Sequence, residues 1–147
     1  MKTLELIPSK LLPHRAPMLL IDEVLETDYD KNITVQTTVG KDHFFFQGHF
    51  PDYPLLPGIA MIEMMFQTCG ILSRVRTLSN ESGLPEKKRI GKAVRIKTAT
   101  FLKEVFPETT LIIRAERIKQ VLSFSEYKAT VSAGDQKVCE AILIVTI

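Results

Sequence analysis

From Gly58 to Leu72 the chain reads GIAMIEMMFQTCGIL, and its strongly polar side chains are Glu63, Gln67 and Thr68. A helix that is apolar on every side has to be enclosed by protein, so this segment dictates a fold built around one central helix. Glu63 is then expected to be buried. Unpaired glutamates seldom occupy interiors, so this one is either satisfied by a local partner or held for chemistry. Directly upstream lies Gly48-His49-Phe50-Pro51-Asp52-Tyr53-Pro54-Leu55-Leu56-Pro57-Gly58, which brings a histidine and a Pro-Gly helix start up to the same helix.

The remainder of the chain reads as strands. Met18 to Tyr29 and Ile33 to Val39 are β-rich, with Asp28, Asp30, Lys31 and Asn32 supplying a hairpin turn. Four further runs follow a polar loop at Ser79 to Lys88: Ile90 to Leu102, Thr110 to Lys119, Ser123 to Ala133 and Val138 to Ile147. One long apolar helix with about six strands has one economical burial scheme, in which an antiparallel sheet curls around the helix. That is an α+β hot-dog fold, here a single domain spanning residues 1–147. One sheet of this size leaves its edges and one flank of the helix open, and a second copy is the cheapest cover. A homodimer is expected, with a site at the two-fold interface occurring twice.

Composition narrows the function classes. The 147 residues suit one soluble domain, and a net charge of +2 with dispersed basic residues argues against nucleic acid. Cys69 falls in the apolar helix and Cys139 in a strand, the pattern of small core residues in a reducing cytoplasm rather than of a disulfide framework. Charges interrupt the apolar N-terminal residues, and no run of 18 apolar residues occurs, so neither a signal peptide nor a membrane span is expected. Three separated histidines without a Cys/His cluster offer no metal site, and no cofactor is expected.

Two motifs carry a family resemblance. Leu12-Pro13-His14-Arg15-Ala16-Pro17-Met18-Leu19-Leu20-Ile21-Asp22 resembles an LPHRxPxLLxD opening, and FFQGHFPDYPLLPGIAMIEMMFQ from Phe45 to Gln67 is similar to an FxGHFPxxPxxPGxxxxExxxQ core. Both belong to the 3-hydroxyacyl-acyl carrier protein dehydratases of fatty-acid synthesis. The resemblance implies a hot-dog dimer, often a trimer of dimers, with an acyl tunnel along the interface. It places the catalytic pair on His49 of one subunit and Glu63 of the other, with the Gly58 N–H as oxyanion donor, and it implies acyl carrier protein as partner.

Removing water from a 3-hydroxyacyl thioester requires a base for the C2 proton and an acid for the hydroxide leaving group. Histidine changes charge near neutrality and suits the base. Glu63 suits the acid, because Met61, Ile62, Met64 and Met65 around it should disfavour its ionised form. Gln67, at i+4, is placed to orient the carboxyl. Pro57 suits the first helical position, and Gly58 lets substrate approach the positive end of the helix dipole. Gly48 lets the chain turn tightly beside His49.

The other candidates have plainer readings. His14 is read as an anchor for the Arg15-Ala16-Pro17 segment and His43 as a loop residue. Phe44, Phe45, Phe46 and Phe50 are read as core and tunnel wall, and Met61, Met64 and Met65 as packing. The second half departs from the family: where a PVxPGD segment is usual, Leu102 to Thr109 reads LKEVFPET. Substrate and docking are where this departure should be felt, and a specialised polyketide or polyene pathway competes with housekeeping fatty-acid synthesis. Isomerising relatives carry Asp at the position of Glu63, which favours simple dehydration. The basic run including Arg89, Lys92 and Arg95 is a candidate surface for an acidic carrier protein. A hot-dog acyl thioesterase and a noncatalytic partner subunit are the alternatives.

Overall fold

The structure, a computed structural model, describes residues 5–80 and 91–146. A short helix α1 (Pro8–Leu11) leads to strands β1 (Glu23–Thr27) and β2 (Asn32–Thr38). A 3-10 turn (Phe44–Phe46) and a loop then reach helix α2 (Gly58–Asn80), followed by β3 (Lys92–Phe101), β4 (Thr110–Val121), β5 (Phe124–Ala133) and β6 (Gln136–Thr146). The six strands form one antiparallel sheet in the order β1-β2-β4-β5-β6-β3. The hot-dog expectation holds. Helix α2 continues past Leu72 to Asn80, because Val75 still enters the core after the uniformly apolar stretch ends.

Alternation drives the sheet. Ile33, Val35 and Thr37 of β2 face inward beside Ala115, Ile113 and Leu111 of β4, all nearly solvent-free, while the intervening residues face out. Ala115, Ala129 and Ala141 are successive register partners across β4, β5 and β6, and all three are buried. This row of small side chains leaves room for the large ones of α2, where Met64, Met65, Ile71 and Leu72 have no accessible surface. Burial of each such side chain contributes roughly 1.5–3 kcal/mol. Cys69 and Cys139 lie fully buried in this core as free thiols; burial pushes the Cys139 thiol up to about 11 and raises that of Cys69 further, so both stay protonated at neutral pH.

The β1–β2 turn forms as the sequence predicts. Burial at Asp28 works against ionisation, but the backbone N–H of Asn32, its side-chain amide and the N–H groups of Asp30 and Lys31 outweigh it and hold this carboxyl well below the usual carboxylate range. A folded-state value below the unfolded one means that Asp28 lends its stability above the unfolded value of about 3.9, and that this contribution drains away as pH falls below it. Asp28→Asn should therefore flatten the acid limb of stability between about pH 5 and pH 2. Urea unfolding of both proteins at several pH values measures it, and parallel curves would refute it.

The two sheet edges differ. β1 is short, bulged and charged, which discourages pairing. β3 is ten residues long and exposed throughout, with Val94, Ile96 and Phe101 about half accessible. β3 joins β6 rather than its sequence neighbour β4 and so forms the other edge of the sheet, and Ile59 near the start of α2 is 75% exposed.

Candidate active site

His49 is held by its own loop. Gly48, at φ +76°, makes the left-handed turn that a side chain would disfavour. The Leu55 N–H donates to the His49 carbonyl at 2.7 Å, and His49 Nδ1 lies 3.1 Å from the Leu55 carbonyl. A carbonyl only accepts, so Nδ1 carries the proton and Nε2 is left as the basic nitrogen. Phe50 stacks on the imidazole, with ring centroids 4.5 Å apart.

The loop and the start of α2 enclose a cleft of about 470 Å³. Its walls include His49, Leu55, Leu56, Gly58, Ile59 and Met61 on one side and Phe101 to Val105 on the other. The helix begins at Gly58, so Pro57 sits immediately before the first helical residue rather than at it; the Pro57 carbonyl already accepts from the Ala60 N–H. The first N–H groups of α2 have no intrahelical acceptor and lie at its positive end. An apolar cleft holding a basic histidine nitrogen and a helix N-terminus can bind an acyl thioester and stabilise charge on its oxygen.

Glu63 departs from expectation. Its side chain is 32% exposed rather than buried, and it is not among the residues lining the cleft. It lies on the open stripe of α2 that starts at Ile59 and runs to the part-buried Phe66, the flank left uncovered beside β3. Gln67 reaches it as predicted: Gln67 Nε2 donates to Glu63 Oε1 at 3.0 Å. The same amide donates to the Met18 carbonyl and accepts from the Leu20 N–H, so a buried glutamine pins the N-terminal segment to α2. His14, read from the sequence as an anchor, instead places Nε2 3.3 Å from Glu63 Oε1. Only its position within the LPHR motif hinted at such a role.

The remaining candidates divide. His43 is structural: its Nδ1 accepts from the Phe45 N–H, so Nε2–H donates to the Pro17 carbonyl at 3.0 Å. Phe46 is core, but Phe44 and Phe50 are exposed and none of the four phenylalanines lines the cleft. Met64 and Met65 are packing, whereas Met61 both packs and lines the cleft. Lys92 and Arg95 are exposed on β3, and Arg89 lies outside the described residues.

A family model, the FabA-like domain, matches residues 12–142. The chain belongs to the FabA-like family of 3-hydroxyacyl-[acyl-carrier-protein] dehydratases. It is 40% identical over 135 residues to the dehydratase FabZ of Hydrogenobaculum sp., covering 92% of this chain and 88% of that protein. It is 36% identical to the FabZ of Polaromonas naphthalenivorans, covering 93% and 92%. Among solved structures, one from the dehydratase heterocomplex ApeI:P of Xenorhabdus doucetiae superposes with a TM-score of 0.77 at 23% identity over 99% of this chain and 91% of that one. A hypothetical thioesterase of Streptococcus pneumoniae, solved with coenzyme A, superposes with a TM-score of 0.62 at 17% identity over 84% and 83%, which reflects the shared fold.

In this FabA-like chain the segment Leu102 to Thr109, which lacks the family's PVxPGD pattern, forms much of the far wall. Its Val105 carbonyl accepts from the Leu56 N–H at 2.8 Å, and its Glu104 accepts from the Tyr53 hydroxyl at 2.6 Å. Phe101, at its edge, covers Gly58: a Cβ there would lie 2.6 Å from the ring. Gly58→Ala would force that half-exposed ring to move within the cleft, whereas alanine is the better helix residue by about 0.5–1 kcal/mol. The expected result is an unchanged or raised melting temperature with kcat/KM reduced about a hundredfold. Calorimetry and steady-state rates on one preparation check it, and full activity would show that the Phe101–Gly58 contact does not shape the site.

Proposed function

We propose that the chain acts as a homodimer that dehydrates a 3-hydroxyacyl thioester on acyl carrier protein to the trans-2-enoyl thioester, with His49 of one copy and Glu63 of the other forming each site. The observation that carries this reading is the separation of the pair within one chain. His49 and the α2 N-terminus line the cleft, while Glu63, part-exposed on the same helix, is not among the lining residues, and the sheet ends in the long, exposed edge strand β3. A second copy seated on β3 would cover that edge and bring each carboxyl to the other copy's cleft. Association of such dimers into a trimer is an extension of the same reading.

In this mechanism the thioester oxygen accepts from the Gly58 N–H, which stabilises the enolate as it forms. His49 Nε2 takes the C2 proton, while the Leu55 carbonyl holds Nδ1–H and keeps the tautomer productive. Glu63 of the other copy protonates the departing hydroxyl, and water leaves. Apolar walls from Leu55, Leu56, Ile59, Met61 and Leu102 hold the acyl chain. Lys92 and Arg95 offer positive charge to an acidic carrier protein. Two buried free thiols support a reducing, cytoplasmic setting. No helix among the described residues is long and apolar enough to cross a membrane.

The test is incubation with 3-hydroxyacyl thioesters on carrier protein, followed by mass spectrometry. Loss of one water supports the reading. Release of free thiol would move the assignment to a thioesterase, and no turnover at any chain length would favour a partner subunit.

A further inference from the structure

We infer that His14 is a positioning residue for the dehydration: with Gln67 it occupies Oε1 of Glu63 and so commits the transferable proton to Oε2. This rests on the assignment of Glu63 as the acid. Two side chains from different parts of the chain converge on one carboxyl oxygen. Gln67 Nε2 donates to Oε1 at 3.0 Å from the next turn of α2, and His14 Nε2 lies 3.3 Å from the same atom, from the segment before β1. Oε2 has no such neighbour among the described hydrogen bonds and ion pairs. The His14 approach is within ion-pair distance but is not a formed hydrogen bond in the single chain; catalytic hydrogen bonds often tighten only when substrate binds.

The other nitrogen of His14 decides its protonation state. His14 Nδ1 is buried and has no hydrogen-bond partner among the described residues. An imidazolium would bury an N–H donor at that point with nothing to accept it, at the full desolvation cost of an unmade bond. In the neutral ring with its proton on Nε2, only an acceptor lone pair goes unfilled, the milder deficit. With nothing beside Nδ1 to accept a proton, the geometry points to Nε2, the nitrogen that faces Glu63, as the one that carries it. Arg15, the nearest cation along this segment, is turned away: its Nη1 donates to the carbonyls of Leu12 and His14 and fixes the loop. Among the described residues, His14 and Gln67 are the polar side chains within hydrogen-bond or ion-pair distance of the carboxyl.

A carboxyl whose Oε1 accepts from Gln67 and faces His14 Nε2 holds its proton on the other oxygen, which is the one available to a leaving hydroxyl. Removing the His14 donor should act in two ways. The proton is no longer confined to Oε2, so kcat falls roughly tenfold or more. The carboxyl also loses one of the two side chains that orient it, so the loss falls on kcat rather than on KM.

The experiment compares the full-length wild type with His14→Leu and His14→Gln, recording kcat, KM, the pH profile and thermal melting, with Glu63→Gln as reference. The expected result is a low kcat with a KM within about twofold of wild type in His14→Leu, and a kcat largely restored in His14→Gln, whose amide is again a donor. A melting loss in His14→Leu together with an unchanged kcat, or with no rescue by glutamine, would overturn the inference and leave His14 a structural anchor. Full activity in Glu63→Gln would overturn the parent assignment instead, whatever His14 does.

Discussion

His49→Ala and Glu63→Gln should each lose about 10²–10⁴-fold in dehydration rate, the range expected when one proton-transfer partner is removed. Mixing the two inactive proteins should then restore activity. Each variant keeps the half-site that the other lacks, so a mixed dimer contains one complete pair, from His49 of the Glu63→Gln copy and Glu63 of the His49→Ala copy. Random exchange makes about half the dimers mixed, each with one of two sites working, and recovery should approach about a quarter of wild-type activity. Co-expression with two affinity tags isolates the mixed species, which should run at about half the wild-type rate. A mixed dimer as dead as its parents would mean that His49 and Glu63 act within one chain, or that one of them is not catalytic. Glutamine at position 63 keeps the volume and the contact with Gln67, so a loss there reads out the proton rather than the packing.

Ile96→Asp should convert the protein to a monomer and remove its activity with it. Ile96 stands on β3, about half exposed in the single chain, with Leu143 of β6 as its register partner. Within one copy the aspartate reaches water, so the monomer's core is left intact. At an interface built on the β3 edge the same charge would be desolvated without a partner, a penalty of several kcal/mol, counted twice across a two-fold axis. Sedimentation should show one chain in place of two, with the far-ultraviolet circular dichroism unchanged and turnover reduced at least a hundredfold. A variant that stays dimeric would place the interface elsewhere and remove the argument for a shared site. A variant that is monomeric yet active would show that one chain suffices.

The departure of Leu102 to Thr109 from the family pattern acquires a location in the structure. These residues turn back over the cleft, with Leu102, Lys103, Glu104 and Val105 on its wall and Phe106 edge-on to Tyr53 at 5.6 Å between ring centroids. The variant segment therefore sits where acyl chain and carrier arm would enter, whereas His49, Gly58 and Glu63 come from the stretch that matches the family closely.

The fold class was written in local patterns. A 15-residue apolar run can only be a central helix, β-prone runs of seven to thirteen residues read as strands, and Asp28 to Asn32 as a turn, because each constraint acts between residues a few positions apart. The GHFP and PG motifs likewise mark the candidate base and the candidate oxyanion donor, since backbone conformation at Gly48 and Gly58 is a local property. Long-range closure decided the rest. Strand order is one case: β3 pairs with β6, which leaves its long edge and one flank of α2 open, and nothing near Lys92 in sequence states that. Exposure of Glu63 is another, because an apolar neighbourhood along a helix does not say which face the sheet reaches. The meeting of His14 with Glu63 is the third. Forty-nine positions apart along the chain, they are brought together only when Gln67 ties the Met18 to Leu20 backbone onto α2. The sequence by itself determined which groups can do the chemistry; the tertiary structure decided which of them touch, because contact between distant residues depends on packing that no local pattern encodes.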